Sequence, residues 1–192
     1  MAEIAFTIRA SLHQDYGGEN FVHELLGKFA VRNTDDDTEQ VAGELRAWLI
    51  QFVEAQSHGI SPRVLADGHS LELSRYWQEL FDLDEFKAEI QSGWQPEGAD
   101  LLVIISIHLV EQSEGQGIRL AALARTIDLF GRNCDLVACF PEGDAPEGGR
   151  SGFTKADLML QDECLKTGFR PWGETGIYLM NPTQKRPNVL LE

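Results

Sequence analysis

A polar loop with two glycines, residues 111–117, is the segment of this sequence best suited to bind a charged ligand. It follows a long apolar run and leads into an amphipathic stretch that begins at Ile118. At the start of a helix several backbone N–H groups lack intrahelical partners, and the helix dipole adds partial positive charge there. Gly115 and Gly117 would let the backbone approach a ligand closely. The loop therefore predicts an anion site, with phosphate as the usual occupant, unless its glycines serve only the turn itself.

Two common phosphate-binding motifs do not fit this loop. A P-loop needs Gly-Lys-Ser/Thr at the start of the helix, whereas Gly117 is followed by Ile118 and Arg119. A dinucleotide fingerprint needs a third glycine at the position that Leu120 occupies. The spacing therefore excludes both.

The elements that must position this loop form a predicted strand–loop–helix–strand unit. Residues 101–110 are an apolar run typical of a strand covered on both faces. Residues 118–130 carry apolar side chains at helical spacing, and residues 134–140 form a second buried strand. A helix at about residues 154–166 and a strand at residues 176–180 are expected to follow.

The first 98 residues contain predicted elements but no recognisable motif. Alternating apolar side chains predict strands at residues 4–9 and 28–32. A stripe at helical spacing predicts a helix at residues 37–56, with inward members Val41, Leu45, Trp48, Leu49, Phe52 and Val53. Shorter elements are expected further on: a strand at 63–66, a turn at 67–68, and helices at 71–81 and 84–91.

A six-residue pattern, Gln/Arg-x-x-Gly-x-Gly/Ala, is matched by Gln112, Ser113, Glu114, Gly115, Gln116 and Gly117. With a strand before it and an amphipathic helix after it, this segment resembles the pyrophosphate-binding signature of the GNAT superfamily of acyl-CoA-dependent N-acyltransferases. Residues 166–171, Lys-Thr-Gly-Phe-Arg-Pro, resemble the end of the family's late helix, where Gly-Phe leads into the last strands. The resemblance covers residues 99–181.

The resemblance implies that acetyl-CoA is the co-substrate. The backbone amides of residues 112–117 would hold its pyrophosphate, with Ile118 and Arg119 beside it at the start of the helix. The end of the central strand, with Ile107, Leu109 and Val110, would pair with the pantetheine arm and place the thioester carbonyl near a polarising backbone N–H. An amine held next to the thioester would attack it directly, so most of the rate would come from positioning.

The chain departs from the family pattern at two places. The family often has a hydrophobic residue and a third glycine where this chain has Ile118 and Arg119, so Arg119 either reaches a phosphate or is solvated. The family also often has a tyrosine, which protonates the departing thiolate, at the position of Cys164. A thiol, with an ordinary pKa of about 8.5, could donate that proton. Otherwise Cys164 is a packed helix residue, and water or the substrate ammonium supplies the proton.

The amine must also lose a proton before it attacks. Glu111 and His108, at the end of the central strand, are candidate general bases. The alternatives are that His108 is a hydrogen-bonded strand residue and that Glu111 is a solvated carboxylate. Asp67 and His69 are candidates for lining the acceptor pocket.

Composition limits the partners. The chain has 31 acidic and 16 basic residues and a net charge of −15. Since nucleic-acid binding needs clustered Lys and Arg, no nucleic-acid partner is expected. The expected partner is a small-molecule amine. A cationic amine would be attracted to the acidic protein, unless the acidity only maintains solubility. The sequence is also compatible with a homodimer.

The remaining features concern compartment and metals. No apolar run approaches the ~20 residues of a membrane-spanning helix. The start, Met1-Ala2-Glu3, lacks the basic residues and apolar core of a signal peptide. Cys134, Cys139 and Cys164 fall outside metal-ligand spacings, and their odd count argues against a disulfide framework. We therefore expect a cytoplasmic protein with reduced thiols, no metal and no membrane partner.

Together these patterns predict an α/β (α+β) protein with a GNAT-like mixed sheet of about six or seven strands and helices on both faces. We expect one acyltransferase-like domain, with a variable acceptor-side half (1–98), an acyl-CoA-binding half (99–181) and a tail (182–192). The leading hypothesis is an N-acetyltransferase. The alternative is a non-catalytic GNAT-fold acyl-CoA-binding sensor or interaction protein, and a third possibility is an α/β binding domain whose glycine loop is structural.

Overall fold

The computed structural model describes residues 2–10, 21–33, 38–69, 71–97, 100–114, 117–140 and 155–184. For residues 2–10, 33, 66–69, 71–72, 75 and 155–159 only the backbone is described.

The described strands are β1 Ala2–Ala10, β2 Val22–Asn33, β3 Thr38–Ile50, β4 Phe81–Asp82, β5 Glu85–Phe86, β6 Asp100–Leu109, β7 Cys134–Cys139, β8 Arg170–Pro171 and β9 Tyr178–Met180. Seven of them form one sheet in the order β1-β2-β3-β6-β7-β9-β8, and β4 pairs with β5 in a small separate ribbon. Within the large sheet β6 and β7 are parallel, and the other neighbours are antiparallel. A parallel pair needs a crossover connection, which the helix between β6 and β7 supplies.

The described helices are α1 Phe52–Ser57, α2 Pro62–His69, α3 Leu71–Leu80, α4 Ala88–Trp94, α5 Ile118–Phe130 and α6 Lys155–Thr167. Buried residues of α1 to α4 form one hydrophobic core against one face of the sheet, which we call the first core. Buried residues of α5 and α6 form the second core against the other face. The sheet is therefore covered on both sides.

Strand β6 divides its side chains between these two cores. Leu101 and Val103 belong to the first core, whereas Leu102 and Ile104 belong to the second. All four are at most 1% exposed. Because both faces are covered, the strand has no polar face, and this explains the unbroken apolar run in its sequence.

The largest error of the sequence prediction is the helix expected at residues 37–56. The chain there forms the 13-residue strand β3, followed by the short helix α1. Leu45 lies in the second core and Trp48 in the first, while Val41 is 53% exposed. A strand that is buried on both faces lacks the alternation of apolar and polar residues that marks a half-buried strand. The spacing of its apolar residues therefore matched the pattern of an amphipathic helix.

Smaller differences also concern the first half. Residues 63–68, expected as a strand and a turn, lie inside α2. The helix expected at residues 84–91 begins later, at Ala88, and the ribbon of β4 and β5 precedes it.

The predicted mixed α/β class is confirmed, with seven strands in the main sheet and helices on both faces. In the second half the prediction is close: β6, α5 and β7 coincide with the expected elements within one residue at each end. Within the described ranges, no helix is both long and apolar enough to cross a bilayer.

Candidate functional site

The parallel strands β6 and β7 end at different points. The last pair in their register joins Ile104 to Cys139, which is also the last residue of β7. Strand β6 continues to Leu109. Among the described strands none pairs with residues 105–109 on that side, which we call the open edge. It lies at the carboxyl end of the parallel pair, where ligands commonly bind in open α/β sheets.

A β-bulge at Ile105 marks the start of the open edge. The register between β3 and β6 skips this residue. In a regular strand Ile105 and Ile107 would share a face, yet Ile105 packs in the first core and Ile107 in the second. The bulge therefore re-aims the end of β6, and it turns Ile107 and Leu109 toward the side of α5 and α6.

Hydrogen bonding to β3 determines which backbone groups point into the open edge. The N–H of Val110 donates to the carbonyl of Ala42 at 2.9 Å. Because successive N–H groups of a strand alternate in direction, those of Ile107 and Leu109 point away from β3. Two of the three residues predicted to meet pantetheine thus offer backbone groups, whereas the N–H of Val110 is already used.

The start of α5 lies just beyond this edge. Gly117 has a left-handed φ of 70°, and its carbonyl accepts the first helical hydrogen bond from Ala121 at 3.0 Å. The N–H groups of Ile118, Arg119 and Leu120 consequently lack an intrahelical acceptor. Among the described residues, a Cβ added at Gly117 would meet no atom within 4 Å, whereas Ile118 and Arg119 are only 6% and 2% exposed. The described residues therefore leave room beside Gly117 itself, while the two side chains that follow it are buried.

The loop before the helix contributes fewer donors than its sequence predicted. Its first part is a 3-10 turn, Glu111–Ser113. The N–H of Ser113 donates to the carbonyl of Val110 at 2.9 Å, and that of Glu114 donates to the carbonyl of Glu111 at 3.3 Å. Both amides are therefore engaged inside the turn, and the donors available to an anion lie closer to the helix.

Three other loop residues were predicted to bind the cofactor. Gln112 is exposed, and its Oε1 accepts a hydrogen bond from Nε2 of Gln40 in β3 at 2.7 Å. This bond ties the loop to the end of the sheet. Gly115 and Gln116 lie outside the described residues.

Arg119 is buried between α5 and α6, so of its two predicted alternatives the solvated one is wrong. Its Nη1 lies 3.8 Å from Oε2 of Glu163, and the two side chains are 3% and 12% exposed. Neither atom has a hydrogen-bond partner among the described residues, because 3.8 Å is too long for one. Both charged groups are buried in a largely apolar contact between the two helices. At this distance their mutual attraction offsets only part of the cost of removing them from water.

The incomplete pairing affects how Glu163 titrates. Burial raises the pKa of its carboxyl above the ordinary value of 4.5, and the nearby charge of Arg119 lowers the pKa by less. A carboxyl whose pKa is raised by folding stabilises the folded state below its unfolded pKa, and that contribution is lost as the pH rises through the folded pKa.

Replacing Glu163 with glutamine should therefore change how stability depends on pH. Glutamine stays neutral, so the wild type should lose stability relative to Glu163→Gln as the pH rises from 4.5 through the raised pKa. Urea midpoints at about pH 4 and about pH 8 measure the difference. Glu89→Gln, at an exposed position on α4, is the control and should show a much smaller change. An equal difference between wild type and Glu163→Gln at both pH values would contradict the assignment.

Cys164 has no exposed surface. A hydrogen bond with the thiol of Cys139, followed by burial, raises the pKa of the Cys164 thiol well above its usual value. This geometry favours the packed helix residue over the proton donor, since a thiol enclosed in the core has no route to a leaving group.

The two candidate bases are accessible. His108 and Glu111 are both exposed, and His108 lies directly opposite Glu44 of β3 in the sheet register. Alternation places His108 on the face opposite Ile107, which is the side of the first core. Asp67 and His69 belong to α2 rather than to a turn, and their side chains lie outside the described parts.

Tyr178 is a candidate that the sequence did not reveal. It is half-buried, packs against the second core, and pairs with Cys139 in the register between β7 and β9. Burial, and then the thiols of Cys164 and Cys139, raise the pKa of its hydroxyl. Because the two strands meet only through long-range pairing, no local pattern could have placed Tyr178 here.

Comparisons with known proteins give no family for the chain. No protein-family model matches the sequence, and no curated protein matches it significantly. Within the described residues no group of three His, Cys, Asp or Glu side chains could hold a metal ion.

Proposed function

We propose that this chain is an N-acetyltransferase that moves an acetyl group from acetyl-CoA to a primary amine by direct attack. One observation carries the proposal: the open edge of β6 begins at the bulge at Ile105 and leads toward the start of α5, where Gly117 is exposed. An extended pantetheine arm contains amides that can pair with such an edge. A diphosphate suits the helix start at the far end.

The backbone groups of the open edge would position the thioester. The N–H groups of Ile107 and Leu109 face it, and one of them can polarise the thioester carbonyl as negative charge develops there. An amine placed against the carbonyl carbon then needs no covalent enzyme intermediate, so positioning supplies most of the rate.

The choice of acceptor follows from charge. A net charge of −15 favours the approach of a cationic amine. Exposed His108 is the candidate general base because it lies at the end of β6. We place the reaction in the cytoplasm, where three buried free thiols, those of Cys134, Cys139 and Cys164, would remain reduced.

Calorimetric titration with acetyl-CoA tests the binding part of the proposal. We expect saturable binding with a Kd between about 1 μM and about 1 mM, the range of typical enzyme substrates. S-acetylpantetheine, which has the arm but no diphosphate, should bind at least about tenfold more weakly because it cannot reach the helix start. No heat at about millimolar acetyl-CoA would reject the function.

The burial of Cys164 favours one alternative, a non-catalytic acyl-CoA-binding sensor or interaction protein, because the residue at the family's usual proton-donor position is enclosed. A panel of primary amines separates the two functions. Release of free CoA thiol that depends on both an amine and the protein supports the transferase. Tight acetyl-CoA binding without any release supports the sensor.

A further inference from the structure

We propose that strand β1 is a homodimer interface, at which two copies of this chain pair edge to edge and join their sheets into one. The inference goes beyond the proposed acetyltransferase function and does not depend on it. It commits to one occupant of this edge, which is the same strand of a second copy in antiparallel orientation.

Strand β1 forms one outer edge of the large sheet. Among the described strands only β2 pairs with it, along all nine residues from Ala2 to Ala10 and without a register shift. In an antiparallel pair, every second residue directs its N–H and carbonyl groups away from the neighbouring strand. The described part of the sheet therefore leaves a row of backbone donors and acceptors on the outer side of β1, and such a row is a template for another strand.

The other outer edge of the sheet is protected against strand addition. It consists of β8, which has only two residues, Arg170 and Pro171. Short edge strands and proline are two of the devices by which proteins prevent pairing with another chain. Strand β1 has neither device, because it is nine residues long and contains no proline. The two edges therefore differ in the way expected if only β1 pairs with a partner.

The sequence of β1 is complementary to itself in antiparallel pairing. Its only charged residues are Glu3 and Arg9, which lie at equal distances on either side of Phe6. With a two-fold axis through Phe6, every residue of β1 pairs, and Glu3 of each copy lies directly opposite Arg9 of the other. Opposite charges at directly opposed positions stabilise a strand pair.

The neighbouring symmetric registers lack this complementarity. An axis at Ala5 places Glu3 opposite Thr7, and an axis at Thr7 places Arg9 opposite Ala5. Each of these shifts also leaves residues at one end of β1 without an opposed residue in the other strand. The register that pairs the whole strand is thus the one that matches its charges, and this coincidence favours a second copy over an unrelated strand as the partner.

The register with β2 places the apolar and charged parts of this pattern on different faces of the sheet. Phe6 lies opposite Phe29, which is fully buried in the second core, and Glu3 lies opposite Arg32, which is exposed. Directly opposed residues of neighbouring strands share a face. A second copy in this register therefore continues the apolar face with Phe6, and the charged row alternates in sign from Arg32 to Glu3 to Arg9 of the second copy.

Two charge-reversal variants test this register. Glu3→Arg and Arg9→Glu each place like charges opposite each other at two points of the homodimer, so each should raise the dimer dissociation constant at least about tenfold. The two substitutions change the net charge in opposite directions, so a general charge effect would not weaken both dimers. Sedimentation equilibrium measures the dissociation constants, and the wild type should be mainly dimeric at about 100 μM.

A mixture of the two variants should restore dimerisation. In the mixed dimer each substituted residue again lies opposite a residue of the other sign, so the dissociation constant should return to within about fivefold of the wild-type value. Native mass spectrometry identifies the mixed dimer, because the two substitutions change the mass of the chain in opposite directions. A substitution that only disrupts β1 would give no dimer in the mixture, so restoration separates a lost interface from misfolding.

Glu89→Arg is the control, because Glu89 is exposed on α4 and its reversal should leave the dissociation constant within about twofold. A wild type that is monomeric at about 100 μM overturns the proposal. So does a dimer that both variants keep, or one that the mixture fails to restore, because the interface or the register is then different. None of these results affects the proposed acetyltransferase function, since β2 and β3 separate β1 from the open edge of β6.

Discussion

Gly117→Val should weaken acetyl-CoA binding about 100-fold, equivalent to about 2.7 kcal/mol. Gly117 is exposed, has a φ of 70°, and an added Cβ there would meet no atom of the described residues within 4 Å. In the proposed complex, a branched side chain would fill the space through which the diphosphate would approach the N–H groups of Ile118 and Arg119. Hydrogen bonds to a charged acceptor are worth about 1.5–3 kcal/mol each, so losing one or two accounts for the expected loss. Calorimetry with acetyl-CoA measures it.

Gly59→Val is the matched control for this substitution. Gly59 follows α1, has a φ of 74°, and an added Cβ there would also meet nothing within 4 Å in the part of the chain that the structure describes. Both variants therefore carry the same backbone strain, about 1–2 kcal/mol for a left-handed residue with a side chain. Equal acetyl-CoA affinity in the two variants would place the diphosphate elsewhere. Equal thermal midpoints would confirm that strain alone does not explain a difference in affinity.

The second half of the chain was predictable because its signals are local. A run such as residues 101–110 and a glycine followed by a helical stripe at Ile118 depend on neighbours in sequence, and β6 and α5 form where these signals stand. The glycine pattern also indicated where the helix would begin. That the N–H groups of Ser113 and Glu114 donate to carbonyls inside the turn was not predictable, because no sequence pattern specified this turn.

The first half was less predictable because long-range pairing overrides its local pattern. Strand β3 lies between β2 and β6, and both of its faces are covered in part by helices. Its apolar residues therefore occur without strict alternation. The bulge at Ile105 and the pairing of Tyr178 with Cys139 are likewise set by register between strands far apart in sequence. The two features that shape the candidate site most strongly could not be derived from short-range spacing.

The end of β6 depends on Gly43, and Gly43→Ala should lower the free energy of unfolding by about 3 kcal/mol. Gly43 is buried in β3 between Phe29 of β2 and the backbone of β6. A Cβ added there would lie well inside 3.0 Å of both the carbonyl oxygen of His108 and the ring of Phe29. Neither neighbour can yield, because one is backbone in a paired strand and the other is a fully buried ring.

Gly93→Ala is the control for a glycine-to-alanine change, and its expected effect on stability has the opposite sign. Gly93 lies in α4, and an added Cβ there meets no described atom within 4 Å. Alanine should therefore stabilise the protein by about 0.5–1 kcal/mol. Urea unfolding of both variants measures the pair of effects.

In Gly43→Ala the strain is relieved only if β6 shifts away from β3 at His108, which moves the backbone of Ile107 and Leu109. Acetyl-CoA affinity should then fall together with stability, whereas a variant that loses stability but keeps full affinity would show that the open edge of β6 does not hold the ligand.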